Sequence, residues 1–174
     1  MPIILRFRAG FGRVLTLCGL TAGIALMAVM VLVVANVFMR YVFNAPIAGT
    51  LEMTEGALPI IVFLSLAMTQ YEGGHIKVVL LTRALPPRAR RAAVVFAMLA
   101  GALLFAWATY AGWRLAAKSY AIGEIERGSI RYPLWPIKGA IALGMALLTV
   151  QFLIDAAVVA LGGHLPDANA EEGE

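Results

Sequence analysis

The sequence predicts an all-α integral membrane bundle of four transmembrane helices, with a short interfacial amphipathic segment between helices 1 and 2. Three observations carry this prediction. First, 61% of the 174 residues are hydrophobic and only 14% are charged, with a mean hydropathy of +0.86. Soluble domains run at roughly 45–50% apolar and about 25% charged, and a chain of this length lacks the polar surface to cover such a core in water. Second, the charges are segregated into gaps between long uncharged runs. Third, those runs are continuous rather than alternating and rich in Ala, Leu and Met, which suits helices. An open sheet in lipid would also leave its edge backbone groups unpaired.

Each element follows from where the charges stop. No charge lies between Arg13 and Arg40, which sets helix 1 at 14–39. Its basic start (Arg6, Arg8, Arg13) resembles a signal peptide, but a cleavable apolar core is typically about 7–15 residues; this run is far longer and is read as a retained helix. In the stretch Tyr41 to Leu51, Phe43, Ile47 and Leu51 lie four apart. One side can therefore rest on the membrane surface, as a bent and partly helical lead into the next span.

Helix 2, at 52–71, has its uncharged part from Gly56 to Tyr71 and reaches full length with Glu52 and Glu55 at the interface. Helix 3, at 92–115, is uncharged from Ala92 to Trp113, and helix 4, at 135–161, from Gly139 to Ile154. About 20 mainly apolar residues cross the hydrocarbon. Residues 1–161 thus read as one membrane domain, followed by a mobile acidic tail over 162–174. Small residues four apart in three helices predict close backbone approach, within the chain or against a partner: Gly19 and Gly23, then Ala93, Ala97 and Gly101, then Ala140 and Gly144.

Many function classes are excluded early. The net charge of +4 and pI near 9.6 arise from basic residues in the gaps between spans, so they set orientation rather than bind nucleic acid. With both termini cytoplasmic, eight Lys and Arg fall inside and six outside, and Arg88, Arg90 and Arg91 cluster at the start of helix 3. Cys18 is the single cysteine, which rules out an intramolecular disulfide, a Cys-based zinc site or a dithiol centre. His75 and His164 both fall in loops, where they cannot ligate haem between helices. No ionisable residue sits at the centre of a span, although pumps and proton relays need one there. Neither an enzyme, a cofactor nor a metal is expected.

The remaining candidates are structural or interfacial. Arg40 follows helix 1, and Glu52 and Glu55, three apart on one helical face, open helix 2. They form an ion-paired joint, with each other or with a partner subunit, or else are ordinary interfacial charges. Gln151 and Asp155 share a face of helix 4, either at the lipid interface or bonded to a neighbouring helix. Lys138 reads as an anchor, and Trp107, Trp113 and Trp135 as an aromatic belt.

The loops carry a pattern. Helix 1 ends in Asn36-Val37-Phe38-Met39-Arg40-Tyr41-Val42-Phe43-Asn44-Ala45-Pro46, and helix 2 opens with Gly49-Thr50-Leu51-Glu52-Met53-Thr54-Glu55. Its far end reads Glu72-Gly73-Gly74-His75-Ile76-Lys77-Val78; after helix 3 come Gly123-Glu124 and Pro133-Leu134-Trp135-Pro136. This order, on four helices, resembles the small membrane subunit of tripartite ATP-independent periplasmic (TRAP) transporters, the DctQ-like family, over residues 14 to 161. His75, Glu124 and Trp135 join the candidate interface or structural residues through these motifs. Where many relatives have a Trp and paired acids at the start of helix 2, this chain has Gly49 and Thr50, with its acids at Glu52 and Glu55.

The resemblance implies two partners in the bacterial inner membrane and periplasm: a large membrane subunit and a soluble solute-binding protein. The large subunit would hold the substrate and sodium sites and take up an organic acid on an ion gradient. The small subunit would brace it and help dock the binding protein. The alternative reading is a free-standing four-helix membrane anchor or assembly protein.

Overall fold

The computed structural model describes residues 2–73 and 86–163. His75, and the part of the expected tail from residue 164 onward, lie outside the described residues. Four helices are formed: α1 (Pro2–Phe43), α2 (Thr50–Tyr71), α3 (Pro87–Ala121) and α4 (Trp135–Ala160). All four are long and apolar enough to cross a membrane. Among the described residues the only β pairing is an isolated bridge between Ile125 and Pro133.

The helices run past the uncharged stretches that mark them in the sequence. α1 begins at Pro2 rather than at residue 14, and its 42 residues span about 63 Å at 1.5 Å per residue, roughly twice the hydrocarbon thickness. Absence of charge delimits the part that suits lipid, whereas a helix continues until something breaks it. Arg is a good helix former, and nothing between Pro2 and Arg13 interrupts the backbone. α3 likewise carries Arg114 and Lys118 in its last two turns.

The helix ends have clear local causes. α3 stops at Gly123 (φ 61), whose N–H bonds Tyr120 O while the Glu124 N–H reaches Ser119 O. α4 stops in the same way at Gly162 (φ 85), with Gly162 N–H to Val159 O and Gly163 N–H to Val158 O. In both, a glycine in the left-handed region turns the chain so that orphan carbonyls of the last turn are satisfied. Pro87 and Pro136 sit at the first turns of α3 and α4, where a missing N–H does no harm.

Between α1 and α2 the chain bends over residues 44–49, with Asn44 at φ 49 and Gly49 at φ 82. The helical parts of the predicted surface segment belong to the ends of α1 and α2, and no separate helix forms there. Pro46 has no N–H to donate, and the Ile47 N–H is taken by Asn36 Oδ1 of α1 at 2.8 Å. Asn36 is buried, so it ties the bend back onto the helix it leaves.

The packing is open. α4 lies against both α2 and α3, α1 lies against α2 and touches α4 slightly, and α3 touches α4 alone. In the most apolar window of α4, 44% of residues are buried, against 6% in α1. α4 is therefore the spine of the fold, and most of the surfaces of α1 and α3 are left for lipid or another chain.

Fully buried Leu15, Ala67 and Leu148 mark where α1, α2 and α4 meet. Gly144 is required there: a Cβ on it would stand 2.2 Å from the Phe63 backbone oxygen, so α2 and α4 can approach this closely only at a glycine. Stacked Phe105 and Phe152, 5.8 Å between centroids, join α3 to α4 beside Gly101.

Candidate functional site

Two polar joints hold the array, one at each end. The terminal end comprises the start of α1, the end of α2, the start of α3 and the end of α4. The loop end carries the α1–α2 bend and the α3–α4 connection.

At the terminal end, Gln151 and Asp155 lie one turn apart on α4 and face α1 and α2. The Asp155 carboxylate, 1% exposed, accepts three hydrogen bonds. Arg8 Nε donates to Oδ1 at 3.0 Å, Gln151 Nε2 to Oδ1 at 2.8 Å, and Gln70 Nε2 to Oδ2 at 3.0 Å. Arg8 is itself fixed from two sides. Its Nη2 donates to Tyr71 O at 2.8 Å, satisfying a carbonyl in the last turn of α2, and its guanidinium lies 4.4 Å from the Tyr71 ring centroid. Gly12, one turn after Arg8, makes room for that ring: a Cβ there would fall 2.4 Å from Tyr71 Cζ.

Three helices thus converge on one carboxylate. Chemically the arrangement is a clamp, because a charge out of water is tolerable only when paired and hydrogen-bonded. Among the described residues, Gln151 Oε1 is buried and finds no hydrogen-bond partner.

At the loop end, the α3–α4 connection folds back on itself. The Glu126 N–H bonds Tyr132 O at 2.9 Å and the Leu134 N–H bonds Glu124 O at 3.0 Å. It is pinned to the start of α2 by Glu52, whose Oε1 accepts from the Ser129 N–H and whose backbone oxygen accepts from the Tyr132 hydroxyl at 2.9 Å. Burial is the main cause that pushes the Tyr132 hydroxyl above its ordinary value of 10.0, with Glu126, Glu55 and Glu52 adding to it. Glu124 pairs with Lys138 at the first turn of α4. Hydrogen bonding from Lys138 is the main cause that holds its carboxyl below 4.5.

The residues singled out in the sequence divide between these places. Asp155 is the hub of the terminal joint, while Glu52 and Glu124 belong to the loop joint. Trp135 packs edge-on against Tyr120, with ring centroids 5.5 Å apart. Arg40 is exposed, and among the described residues no ion pair joins it to Glu52 or Glu55. The internal form of that ion-paired joint is thereby corrected: Glu52 turns to the Ser129 backbone instead, and Glu55 is exposed.

Lys138, read as an anchor, is a salt-bridge partner. Arg8, Gln70 and Tyr132 were not singled out. A Gln at the end of an apolar run was a usable signal for Gln70, but nothing local distinguishes Arg8 from Arg6 or Arg13. Among the described residues no group of three or more His, Cys, Asp and Glu is placed to hold a metal ion.

The family model for the DctQ component of tripartite ATP-independent periplasmic transporters matches residues 29–161. The match runs from within α1 to the end of α4 and includes both joints except Arg8. No curated protein matches the chain.

Proposed function

The chain belongs to the DctQ component family of TRAP transporters, as a small membrane subunit, and on that premise we propose that it braces the large membrane subunit during uptake. In this reading the large subunit moves an organic acid on an ion gradient after delivery by a periplasmic solute-binding protein. The small subunit sits in the inner membrane with both termini cytoplasmic. The loop end then faces the periplasm, where the binding protein docks.

The supporting observation is the use made of Asp155. Among the described residues it is the one buried charged side chain, and all its recorded bonds tie α1, α2 and α4 together. A carboxylate in a transport path must exchange partners with the ion or substrate it carries. One held by three helices of its own chain instead stiffens the chain. The open array supports the same role, since α1 and α3 keep long apolar surfaces that a large membrane partner can cover.

The test is co-expression with the large subunit and purification in mild detergent through a tag on this chain. Co-purification is expected, and recovery of this chain alone would sink the reading. Within the complex, Glu52→Ala with Glu55→Ala should lower the yield of assembled complex more than it alters substrate affinity. Unchanged assembly with a shifted substrate Kd would put these acids on a transport path instead.

A further inference from the structure

A groove of roughly 620 Å³ opens at the terminal end between the start of α3 and the end of α4. Its lining is ordered along the helix axis. Arg88 and Arg91, three apart on one face of α3, stand at its mouth; Val95, Phe96 and Leu99 continue the wall toward the uncharged centre of the helix, with Ala160 of α4 opposite. Among the described residues no acidic side chain lines it. Phe96 is 74% exposed, and a Cβ added to Gly162, at the end of α4, would lie 3.7 Å from the Arg91 guanidinium.

Two guanidiniums at the edge of a span, followed inward by an aliphatic and aromatic wall, match the head-to-tail order of a phospholipid. Arginine binds phosphate through paired N–H donors. Basic pockets between transmembrane helices hold anionic headgroups, while a wall of Val, Phe and Leu lets an acyl chain lie along it. We propose that this groove binds one anionic phospholipid, its phosphate on Arg88 and Arg91 and one acyl chain against Val95 and Leu99. The lipid fills the angle between α3 and α4, with its headgroup beside the end of α4 at Gly162. The site goes beyond bracing and stands whether or not a large subunit is present.

Arg90 provides an internal control. It carries the same charge on the same turn of α3 but is absent from the groove lining. The experiment is native mass spectrometry of the full chain in mild detergent, titrated with phosphatidylglycerol or phosphatidylethanolamine of matched acyl chains. One bound phosphatidylglycerol is expected, in preference to phosphatidylethanolamine. Arg88→Gln with Arg91→Gln should weaken it about tenfold, whereas Arg90→Gln should have little effect. Val95→Trp fills the groove while keeping both arginines and should also release the lipid.

Equal losses from Arg90→Gln would mean general charge attraction and overturn the site. Full binding by Val95→Trp would do the same, as would displacement of the lipid by inorganic phosphate at matched concentration. If adding the large subunit expels the lipid stoichiometrically, the groove is a protein interface and the proposal fails.

Discussion

At the terminal end, Arg8, Gln70 and Gln151 surround a carboxylate that water does not reach. At the loop end, Glu52 and Glu124 make contacts of similar number on the water-accessible side of the fold. Both ends use carboxylates to join segments distant in sequence, yet they differ in what losing a contact would cost. Removing one partner from a buried pair strands the other out of water, whereas an exposed pair can be replaced by solvent and is screened by salt. The terminal joint therefore sets the helix arrangement. The loop joint positions a surface that can still adjust to a partner.

The sharpest way to break this contrast is Arg8→Ala, which leaves Asp155 buried without its cation. Thermal unfolding in detergent should show a loss of about 3–5 kcal/mol. Removing the charge as well, Arg8→Ala with Asp155→Asn, should recover much of it, since no unpaired charge is left buried and the amide oxygen can still accept from Gln70 and Gln151. If the double variant is as unstable as the single one, the joint acts through more than charge pairing.

At the loop end the expected effects are smaller. Tyr132→Phe removes one hydroxyl donor to the Glu52 backbone oxygen and should lower stability by about 1 kcal/mol. Proteolysis within 122–134 should accelerate in the same variant, with no matching change at the terminal end.

The smallest effect concerns Glu124. Its carboxyl is held below 4.5, chiefly by Lys138, so its contribution is present above that ordinary value and fades as pH falls through the lowered folded value. Glu124→Gln should therefore differ slightly from the parent in Tm near neutral pH and merge with it in acid. High salt should also shrink the difference, while the effect of Arg8→Ala should persist in salt.

Much of the architecture was legible. The uncharged runs located all four helices, because the contrast between apolar and charged side chains is written locally. Their full lengths were not, since Arg6, Arg8 and Arg13 extend α1 without changing the boundary of its apolar part. The loop motifs pointed to Glu52, Glu124 and Trp135, all of which make contacts at the loop end. Arg40 is exposed and, among the described residues, makes no ion pair with the α2 acids, because closeness in sequence does not by itself bring side chains together. Glu52 found the Ser129 backbone, 77 residues away.

Transmembrane character was determined by the sequence alone. Transfer of each side chain into lipid and internal satisfaction of each helix backbone are local properties, and they add along the chain. Tertiary structure alone decided which helices adjoin, that α4 is the spine and α3 an outlier, and that Asp155 is a hub rather than an interfacial charge. Those outcomes rest on contacts such as Arg8 to Asp155, 147 residues apart. Apolar helices attract one another with little preference in lipid, so the selection falls to shape at Gly144 and to the few polar groups that must find partners.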